Sequence, residues 1–265
     1  MKKSALFISM ALASASASAT IDNKSDVMIH NGSDYNKVSV YQASHDYGND
    51  SKVKIDYDSD YNSATISQYG KGNYSDVNIN YKSNDNKVYV TQHSMYNAAH
   101  VNVGYDSDQN FVRVYQEATN NNANVYVSAS DYNTVILKQK GNYNISQANV
   151  VAYANYNLVD VSQTGNWNKS NVDIYSGDYN TVKVNQYGDY NTSDVDILGG
   201  SADHNYVSVM QNGDYSHSTV KIDDGVYYGG SSSHNSVYVS QTDYDYSNVN
   251  ISHGSSYNTV YVNQN

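Results

Sequence analysis

The chain alternates apolar and polar residues in short segments that recur along most of its length. In the stretch NTVKVNQ, residues 180–186, the first asparagine, both valines and the glutamine share one face of an extended strand. Threonine, lysine and the second asparagine share the other face. Alternation with period two predicts a β-strand with one buried face, whose order is amide, apolar, apolar, amide.

This pattern, Asn-x-Val-x-Val-x-Gln with conservative changes at the two apolar places, occurs ten times at spacings of 23 to 30 residues. Every copy keeps both amides, so the sequence predicts a repeat architecture. The amide pairs are Asn36 and Gln42, Asn62 and Gln68, Asn86 and Gln92, Asn110 and Gln116, Asn133 and Gln139, Asn157 and Gln163, Asn180 and Gln186, Asn205 and Gln211, Asn235 and Gln241, and Asn258 and Gln264.

A second alternating segment, small-x-Val-x-Ile, precedes each copy of the first, as in SDVMI at residues 25–29. Its first place is read as Ser or Ala in all ten copies, and the sixth copy is placed at Val150 and Ala152. Residues rich in Gly, Asn, Asp and Ser separate the segments, which is typical of turns. Each repeat therefore predicts two strands and two turns. A hairpin meander would bury the valines equally well, so alternation alone does not select the architecture.

Energetics favour stacked repeats. One repeat buries about four Val or Ile side chains, each contributing roughly 1.5–3 kcal/mol, while ordering about 24 residues costs on the order of 1–2 kcal/mol apiece. Stacking pairs every strand edge and places each glutamine about 4.8 Å from the next, within reach of a side-chain hydrogen bond. We therefore expect an all-β fold, a β-solenoid of about ten stacked strand–turn–strand repeats over residues 20–265, with a long turn insertion near residues 223–234.

The first residues carry the pattern of an export signal. Lys2 and Lys3 precede an apolar run, residues 5–13, and the small residues at 17–19 form a cleavage pattern. We expect a signal peptide over residues 1–19, cleaved between Ala19 and Thr20, and export of the remainder. The run is too short to cross a bilayer, so no transmembrane insertion is expected.

Composition narrows the classes of protein that fit the sequence. The 265 residues include no cysteine and no proline, 30 tyrosines, and a formal net charge of -11. Without cysteine, disulfides do not supply stability. The absence of proline suits uninterrupted strands, and the absence of a basic patch argues against nucleic acid as a partner.

The spacing of the amides resembles the curlin repeat of curli fibre subunits, Ser-x5-Gln-x-Gly-x2-Asn-x-Ala-x3-Gln. Gln186, Gly188, Asn191 and Ser193 follow that spacing, with Asn180 in the serine place. The family's second glutamine is replaced by Ile or Val, and the run that begins at Gln139 is read as continuing after a short insertion. The same run appears as Gln68, Gly70, Asn73 and Ser75, and as Gln163, Gly165, Asn168 and Ser170.

The resemblance implies a secreted structural protein, not an enzyme, with no cofactor. Such proteins pass through the periplasm and an outer-membrane channel, and then self-assemble at the cell surface into amyloid fibres for biofilm matrix and adhesion. The implied partners are further copies of the chain and a second curli-type subunit. Two alternatives stay open: a minor nucleator subunit that seeds fibres at the outer membrane, and a monomeric secreted solenoid that binds polysaccharide.

The chain opens with a second-strand half, residues 23–29, and closes with a first-strand half, residues 258–264. Because the edges of a sheet are open templates for pairing, head-to-tail addition of a second copy would complete one repeat. The twenty amides of the repeat are therefore the expected stacking and self-assembly residues.

Other candidate chemistry is weaker. Asp56, Asp58 and Asp60 have the spacing that opens a calcium loop, but Tyr61 stands where that loop needs Gly. The eight histidines show no ligand spacing, and no catalytic, metal or cofactor residue is predicted. A tyrosine precedes the strand-opening asparagine in six repeats, which predicts a stacked tyrosine ladder along the turn. These tyrosines are Tyr35, Tyr61, Tyr132, Tyr156, Tyr179 and Tyr257.

Overall fold

The structure is a computed structural model that describes residues 7–12, 22–44, 47–225 and 231–265. These residues form strands and turns and no helix, and so none of them forms an apolar helix of membrane-spanning length. The strands are β1 (Phe7–Leu12), β2 (Lys24–Ile29), β3 (Lys37–Ala43), β4 (Asp50–Ile55), β5 (Ser63–Lys71), β6 (Tyr74–Asn80), β7 (Lys87–Met95), β8 (Ala98–Gly104), β9 (Phe111–Glu117), β10 (Asn122–Ser128), β11 (Thr134–Lys140), β12 (Ile145–Val151), β13 (Leu158–Thr164), β14 (Lys169–Tyr175), β15 (Thr181–Tyr187), β16 (Thr192–Leu198), β17 (Tyr206–Asn212), β18 (His217–Asp223), β19 (Ser236–Gln241), β20 (Tyr246–Ser252) and β21 (Thr259–Asn263).

The strands form two parallel sheets. The odd-numbered strands make an 11-stranded sheet in the order β1 to β21, and the even-numbered strands make a 10-stranded sheet in the order β2 to β20. We call them the glutamine sheet and the serine sheet, after the polar residue that recurs on the inner face of each. The chain passes from one sheet to the other and back, and then starts the next layer. The expected β-solenoid of about ten layers is confirmed.

Neighbouring strands pair without offset between repeats. Val182 of β15 lies opposite Val159 and Val207, and Gln186 lies opposite Gln163 and Gln211. Inward residues are buried and alternate with partly exposed ones. In β15, Val182, Val184 and Gln186 are buried, and the residues between them are partly exposed. The valines and isoleucines of both sheets join into one core between the sheets. The alternation therefore predicted correctly which side chains face inward.

One copy of the second segment is in a different register from the one expected. Strand β12 places Ser146 opposite Ser170, Ala148 opposite Val172, and Val150 opposite Ile174. The sequence analysis had started this copy two residues later and assumed an insertion, which was wrong. A slip by two residues keeps the same side chains inward, and the alanine at a valine place hid the correct register.

The turns bring backbones into close contact. Gly165 has φ of 115°, and a Cβ at this position would lie 2.1 Å from the carbonyl oxygen of Gly188 in the next layer. Only glycine combines that conformation with that approach. The curlin-like Gln-x-Gly spacing therefore has a steric cause at this turn. The long turn begins after Asp223 and returns at Ser236, and its residues 226–230 are outside the described part of the chain.

The N-terminal region contains a strand that the sequence analysis did not expect. Strand β1 pairs in parallel with β3, with Phe7 opposite Lys37 and Leu12 opposite Gln42. It lies within the segment assigned to the signal peptide, and it covers the edge of β3 that the first complete repeat leaves open. An open strand edge pairs with any extended segment that reaches it. The predicted cleavage site, Ala19 and Thr20, lies outside the described residues.

Candidate functional site

The ten glutamines of the repeat form a single column, buried from Gln42 to Gln241, which we call the glutamine column. Each Nε2 donates to the Oε1 of the glutamine one layer on, at 2.7–3.1 Å, from Gln42 through to Gln264. The same Nε2 also donates to a backbone carbonyl of the serine sheet, as Gln163 does to Ile145 O at 2.9 Å. Each amide therefore links successive layers and also links the two sheets.

The asparagines that open the first segment form a parallel column, the first asparagine column, from Asn36 to Asn258. The Oδ1 of each accepts the backbone N–H of the next, at 2.7–3.0 Å. Several Nδ2 groups donate to a turn carbonyl, such as Asn157 to Gly177 O at 2.8 Å. Since buried polar groups without partners are costly, each layer holds the turn of its neighbour in place.

The structure shows a further amide column that the list of expected stacking residues did not include. This second asparagine column lies at the turn before the serine sheet, and its N–H···Oδ1 distances are 2.9–3.0 Å. Its signal in the sequence is an asparagine five residues after many of the glutamines. Its members are Asn23, Asn49, Asn73, Asn97, Asn121, Asn144, Asn168 and Asn191.

Turn carboxylates and amides add a fourth polar column. From Asp34 to Asp203, each backbone N–H donates to the Oδ1 of the residue one layer on, at 2.5–2.8 Å. Burial raises the pKa of Asp108, and the nearby Asp131 carboxylate raises it further, while the N–H of Asn84 opposes both. Neighbouring carboxylates repel along this column, although those of Asp60, Asp108, Asp131, Asp178 and Asp203 each accept a backbone N–H.

A second acidic group lies on the outer face of the serine sheet. Asp194 and Asp196 of β16 adjoin Asp173 of β14, whose carboxylate accepts the Nδ2 of Asn149 and Asn171 at 2.5 and 2.9 Å. Burial raises the pKa of Asp196 to about 6, repulsion from Asp194 and Asp173 adds to the effect, and the facing Lys221 opposes it.

Aromatic rings stack in the turns, which confirms the predicted ladder. The first aromatic column comprises Tyr35 on Tyr61 at 4.9 Å, and a second run from Tyr132 to Tyr257 with centroid distances of 4.7–4.9 Å. The imidazole rings of His204 and His234 continue that run between Tyr179 and Tyr257. The sequence analysis named only the tyrosines, but a planar histidine ring occupies the same place.

Two further aromatic columns lie in the turns. The second aromatic column stacks Tyr143, Trp167, Tyr190, Tyr215 and Tyr244 at 4.3–6.2 Å. The third aromatic column stacks Tyr57, Tyr81 and Tyr105 at 4.7 and 4.8 Å. Most of these turn residues have φ near 55–60°, a conformation in which non-glycine residues are uncommon. Offset stacking contributes about 0.5–1.5 kcal/mol per pair, which offsets part of that strain.

The candidate calcium residues have other contacts. Asp56 is buried, lies 2.9 Å from the Lys54 ammonium, and accepts the Nδ2 of Asn31 at 2.6 Å. Asp60 accepts the backbone N–H of Asp34. Within the described residues, no group of three His, Cys, Asp or Glu side chains has metal-binding geometry. His45 lies outside the described part.

The family comparison covers part of this architecture. No curated protein and no solved structure matches the chain. The model of the curlin associated repeat matches residues 154–188, which hold β13, β14 and β15 with the stacked pair Gln163 and Gln186. The resemblance seen in the sequence is therefore confirmed, and residues 154–188 carry a curlin associated repeat.

Proposed function

We propose that this chain is an exported structural protein that adds head to tail into extracellular curli-type amyloid fibres of a biofilm matrix. The observation that carries the proposal is the open strand edges at the two ends of the described solenoid. Strands β20 and β21 are the last described strands of their sheets, and β2 and, once residues 1–19 are removed, β3 are the first, so each end exposes one unpaired edge of each sheet. Pairing of β20 and β21 of one copy with β2 and β3 of the next would continue both sheets.

The hydrogen-bonding groups at the two ends are complementary. Within the described residues, neither Gln42 Oε1 in the first repeat nor Asn258 Oδ1 in the last repeat accepts a hydrogen bond. If β21 of one copy continues the register onto β3 of the next, Gln264 Nε2 faces Gln42 Oε1. The N–H of Asn36 then faces Asn258 Oδ1. Each column continues across the junction with its direction unchanged.

Apolar surface supplies the driving force. Val27 and Ile29 at one end and Val260 and Val262 at the other pack on the core but are only partly buried. A second copy removes these four side chains from water, and each fully buried aliphatic side chain contributes roughly 1.5–3 kcal/mol. The formal net charge is -11 for the whole chain and, because residues 1–19 carry Lys2 and Lys3 and no acidic residue, -13 for the chain that begins at Thr20. This charge opposes association, so assembly is expected to accelerate with added salt.

Export through an outer-membrane channel and cooperation with a second subunit are parts of the same proposal, supported by the curlin associated repeat at residues 154–188. Removal of residues 1–19 would also remove β1 and so expose the edge of β3. As long as β1 covers the edge of β3, strand β21 of another copy has no place to pair. The full chain is therefore expected to elongate more slowly than the chain that begins at Thr20.

The test uses the chain that begins at Thr20, and its first measurement is fibre diffraction. We expect reflections near 4.8 Å and about 10 Å. The second measurement is elongation with Val262→Asp, which places a charge on the inward face of the last strand. Asn263→Asp, which adds a charge to the same strand with a different facing, is the matched control.

A Val262→Asp molecule keeps an intact N-terminal end, so it can join a fibre but cannot be extended. Added in small proportion, it should stop growth at one end, whereas Asn263→Asp should not. A chain that stays monodisperse without cross-β reflections would overturn the fibre proposal. Fibres that form but ignore Val262→Asp would overturn the head-to-tail geometry alone.

A further inference from the structure

The turn tyrosines are stacked and exposed at the same time. In the pair Tyr132–Tyr156 the ring centroids are 4.7 Å apart with planes inclined by 4°, and the rings are 44% and 47% exposed. Tyr35 and Tyr61 stack in the same way at 4.9 Å. Phenol rings with this arrangement are accessible to a reagent in solution and already hold their nearest reaction partner.

The order of the first aromatic column continues across the proposed junction. Tyr257 precedes Asn258, and Tyr35 precedes Asn36, so the two tyrosines occupy the same place in their repeats. When Asn258 of one copy lies one layer from Asn36 of the next, Tyr257 lies one layer from Tyr35. Within the described chain, Tyr257 has a ring neighbour on one side only, His234 at 4.8 Å, and Tyr35 has only Tyr61.

We propose that the stacked turn tyrosines are sites of oxidative cross-linking by a peroxidase with hydrogen peroxide, both within one copy, as at Tyr132–Tyr156, and between copies at Tyr257–Tyr35. The link between copies rests on the proposed head-to-tail fibre, whereas the link within a copy does not. A covalent bond at each junction would convert a non-covalent fibre into one continuous polymer.

The chemistry balances. Each phenol loses one electron and one proton to give a phenoxyl radical, and the two radicals join by a carbon–carbon bond between ring positions ortho to oxygen. The hydrogens on those two carbons move to the oxygens and restore both phenols. Hydrogen peroxide takes up the two electrons and two protons and becomes two molecules of water, so each link removes two hydrogen atoms from the protein.

Other observations favour the pairs over single tyrosines. The pKa of Tyr156 is raised, because the neighbouring layers partly desolvate its phenol and ionised neighbours, Tyr132 and Tyr179 first among them, would repel its anion. The phenol therefore starts protonated, and a radical formed on one ring has a second phenol beside it. Tyr153 supplies the contrast, since it is 77% exposed and has no ring neighbour among the described residues.

The first experiment treats the chain that begins at Thr20, diluted below the concentration for assembly, with a haem peroxidase and hydrogen peroxide. Dityrosine fluorescence and peptide mapping by mass spectrometry are the readouts. We expect links between layer neighbours, above all Tyr132–Tyr156 and Tyr156–Tyr179, and none at Tyr153. Links that follow exposure and include Tyr153 as often as the stacked pairs would overturn the proposal, as would the absence of dityrosine.

The second experiment oxidises preformed fibres. We expect chains that remain joined in denaturing detergent and a Tyr35–Tyr257 peptide. Tyr257→Phe keeps a ring in the column but cannot form the bond, so it should lose that peptide and the joined chains and keep the links within each copy. Fibres that carry internal links but no Tyr35–Tyr257 link would overturn the junction site. If no fibres form, the proposed function fails, and the first experiment still decides the internal sites.

Discussion

The two sheets of the solenoid have the same layer spacing but treat their buried polar residues differently. In the glutamine sheet, each buried amide bonds to the amide of the next layer and to the opposite sheet. In the serine sheet, six of the eight inward serine hydroxyls have no partner among the described residues. These hydroxyls are Ser25, Ser51, Ser75, Ser146, Ser170 and Ser193.

The difference follows from the length of the side chains. Layers are spaced by about 4.8 Å, and a glutamine amide is long enough to place a donor and an acceptor on either side of that gap. A serine hydroxyl stays close to its backbone, and in those six copies it does not bridge the gap. The exception is at the C-terminal end, where Ser247 reaches Ser218 at 3.2 Å. Repetition thus stabilises a polar group only when the group spans one layer.

Serine is nonetheless suited to its place. Gln92 donates to the carbonyl of Tyr74 at 2.8 Å, and the residue after that carbonyl is Ser75. The glutamine side chain therefore ends beside the small residue. Two copies have alanine there, Ala99 and Ala123, both fully buried. Size rather than the hydroxyl explains why this place is small.

The largest effect is expected from Gln163→Ala. The substitution removes the bonds of Gln163 to Ile145 and Gln186, so the Oε1 of Gln186 loses its donor and the Nε2 of Gln139 loses one of its two acceptors. An orphaned buried polar group costs about 1–3 kcal/mol, and the cavity adds to it. We expect the free energy of unfolding to fall by about 3–5 kcal/mol in urea denaturation of unassembled protein. Ser162→Ala, on the outward face of the same strand, is the control, and an equal loss there would contradict the column.

Introducing glutamines into the serine sheet would test whether a buried amide is stabilised by an amide partner in the adjacent layer. Ile174→Gln alone buries an amide without a matching neighbour, and should cost about 2–3 kcal/mol. Ile197 lies opposite Ile174 in the next layer, so the double substitution with Ile197→Gln restores one layer-to-layer bond. A double-mutant cycle should give a favourable coupling of about 1 kcal/mol. Additive losses would show that the second sheet cannot accept a ladder.

The glutamine sheet was the more predictable of the two from sequence. Its amide at each end of the segment marks both the strand and its register, because only one alignment keeps Asn36 over Asn62 and Gln42 over Gln68. The serine sheet has no such marker. Ser146 and Ala148 are both small, and either can head the segment, so β12 was placed two residues late.

Other features of the structure have too weak a signal in the sequence to be predicted. His204 and His234 join an aromatic column because any planar ring can stack there, whereas the sequence pattern considered only tyrosine. Strand β1 has no repeat pattern, and it forms because the edge of β3 is open. The raised pKa of Asp196 depends on carboxylates from two strands. These are properties of the stacked layers rather than of any single segment.

The outer face of the serine sheet carries a cluster of carboxylates, and Asp196→Asn tests how much this cluster lowers the stability of the fold. The folded-state pKa of Asp196 is raised to about 6, so the folded protein binds its proton more tightly than the unfolded chain. Stability should therefore fall as the pH rises from about 4 to about 6 and stay lower above it. Because the carboxylate is partly solvated, removing its charge should raise the free energy of unfolding near pH 7 by only about 1 kcal/mol.

Near pH 4, where Asp196 is protonated in the fold, the same substitution should have little effect. Unfolding of both proteins in urea across this pH range is the measurement. Asp76→Asn is the control, since Asp76 faces Lys52 and His100 in the adjacent strands, whereas Asp196 faces the carboxylate of Asp173 on one side and Lys221 on the other. A gain for Asp76→Asn as large as that for Asp196→Asn would show that net charge, and not the cluster, sets the effect.

The smallest effect, and the one that bears most directly on the two sheets, is expected from Ser170→Ala. Ser170 is 1% exposed and its hydroxyl has no partner among the described residues. Removing a buried, unpaired hydroxyl without changing the backbone should leave stability unchanged or raise it by up to about 1 kcal/mol. Ser170→Val tests size instead, and overpacking beside the glutamine column should cost about 1–3 kcal/mol. If Ser170→Ala were as damaging as Gln163→Ala, the serine hydroxyls would have to bond in solution, and the contrast between the sheets would disappear.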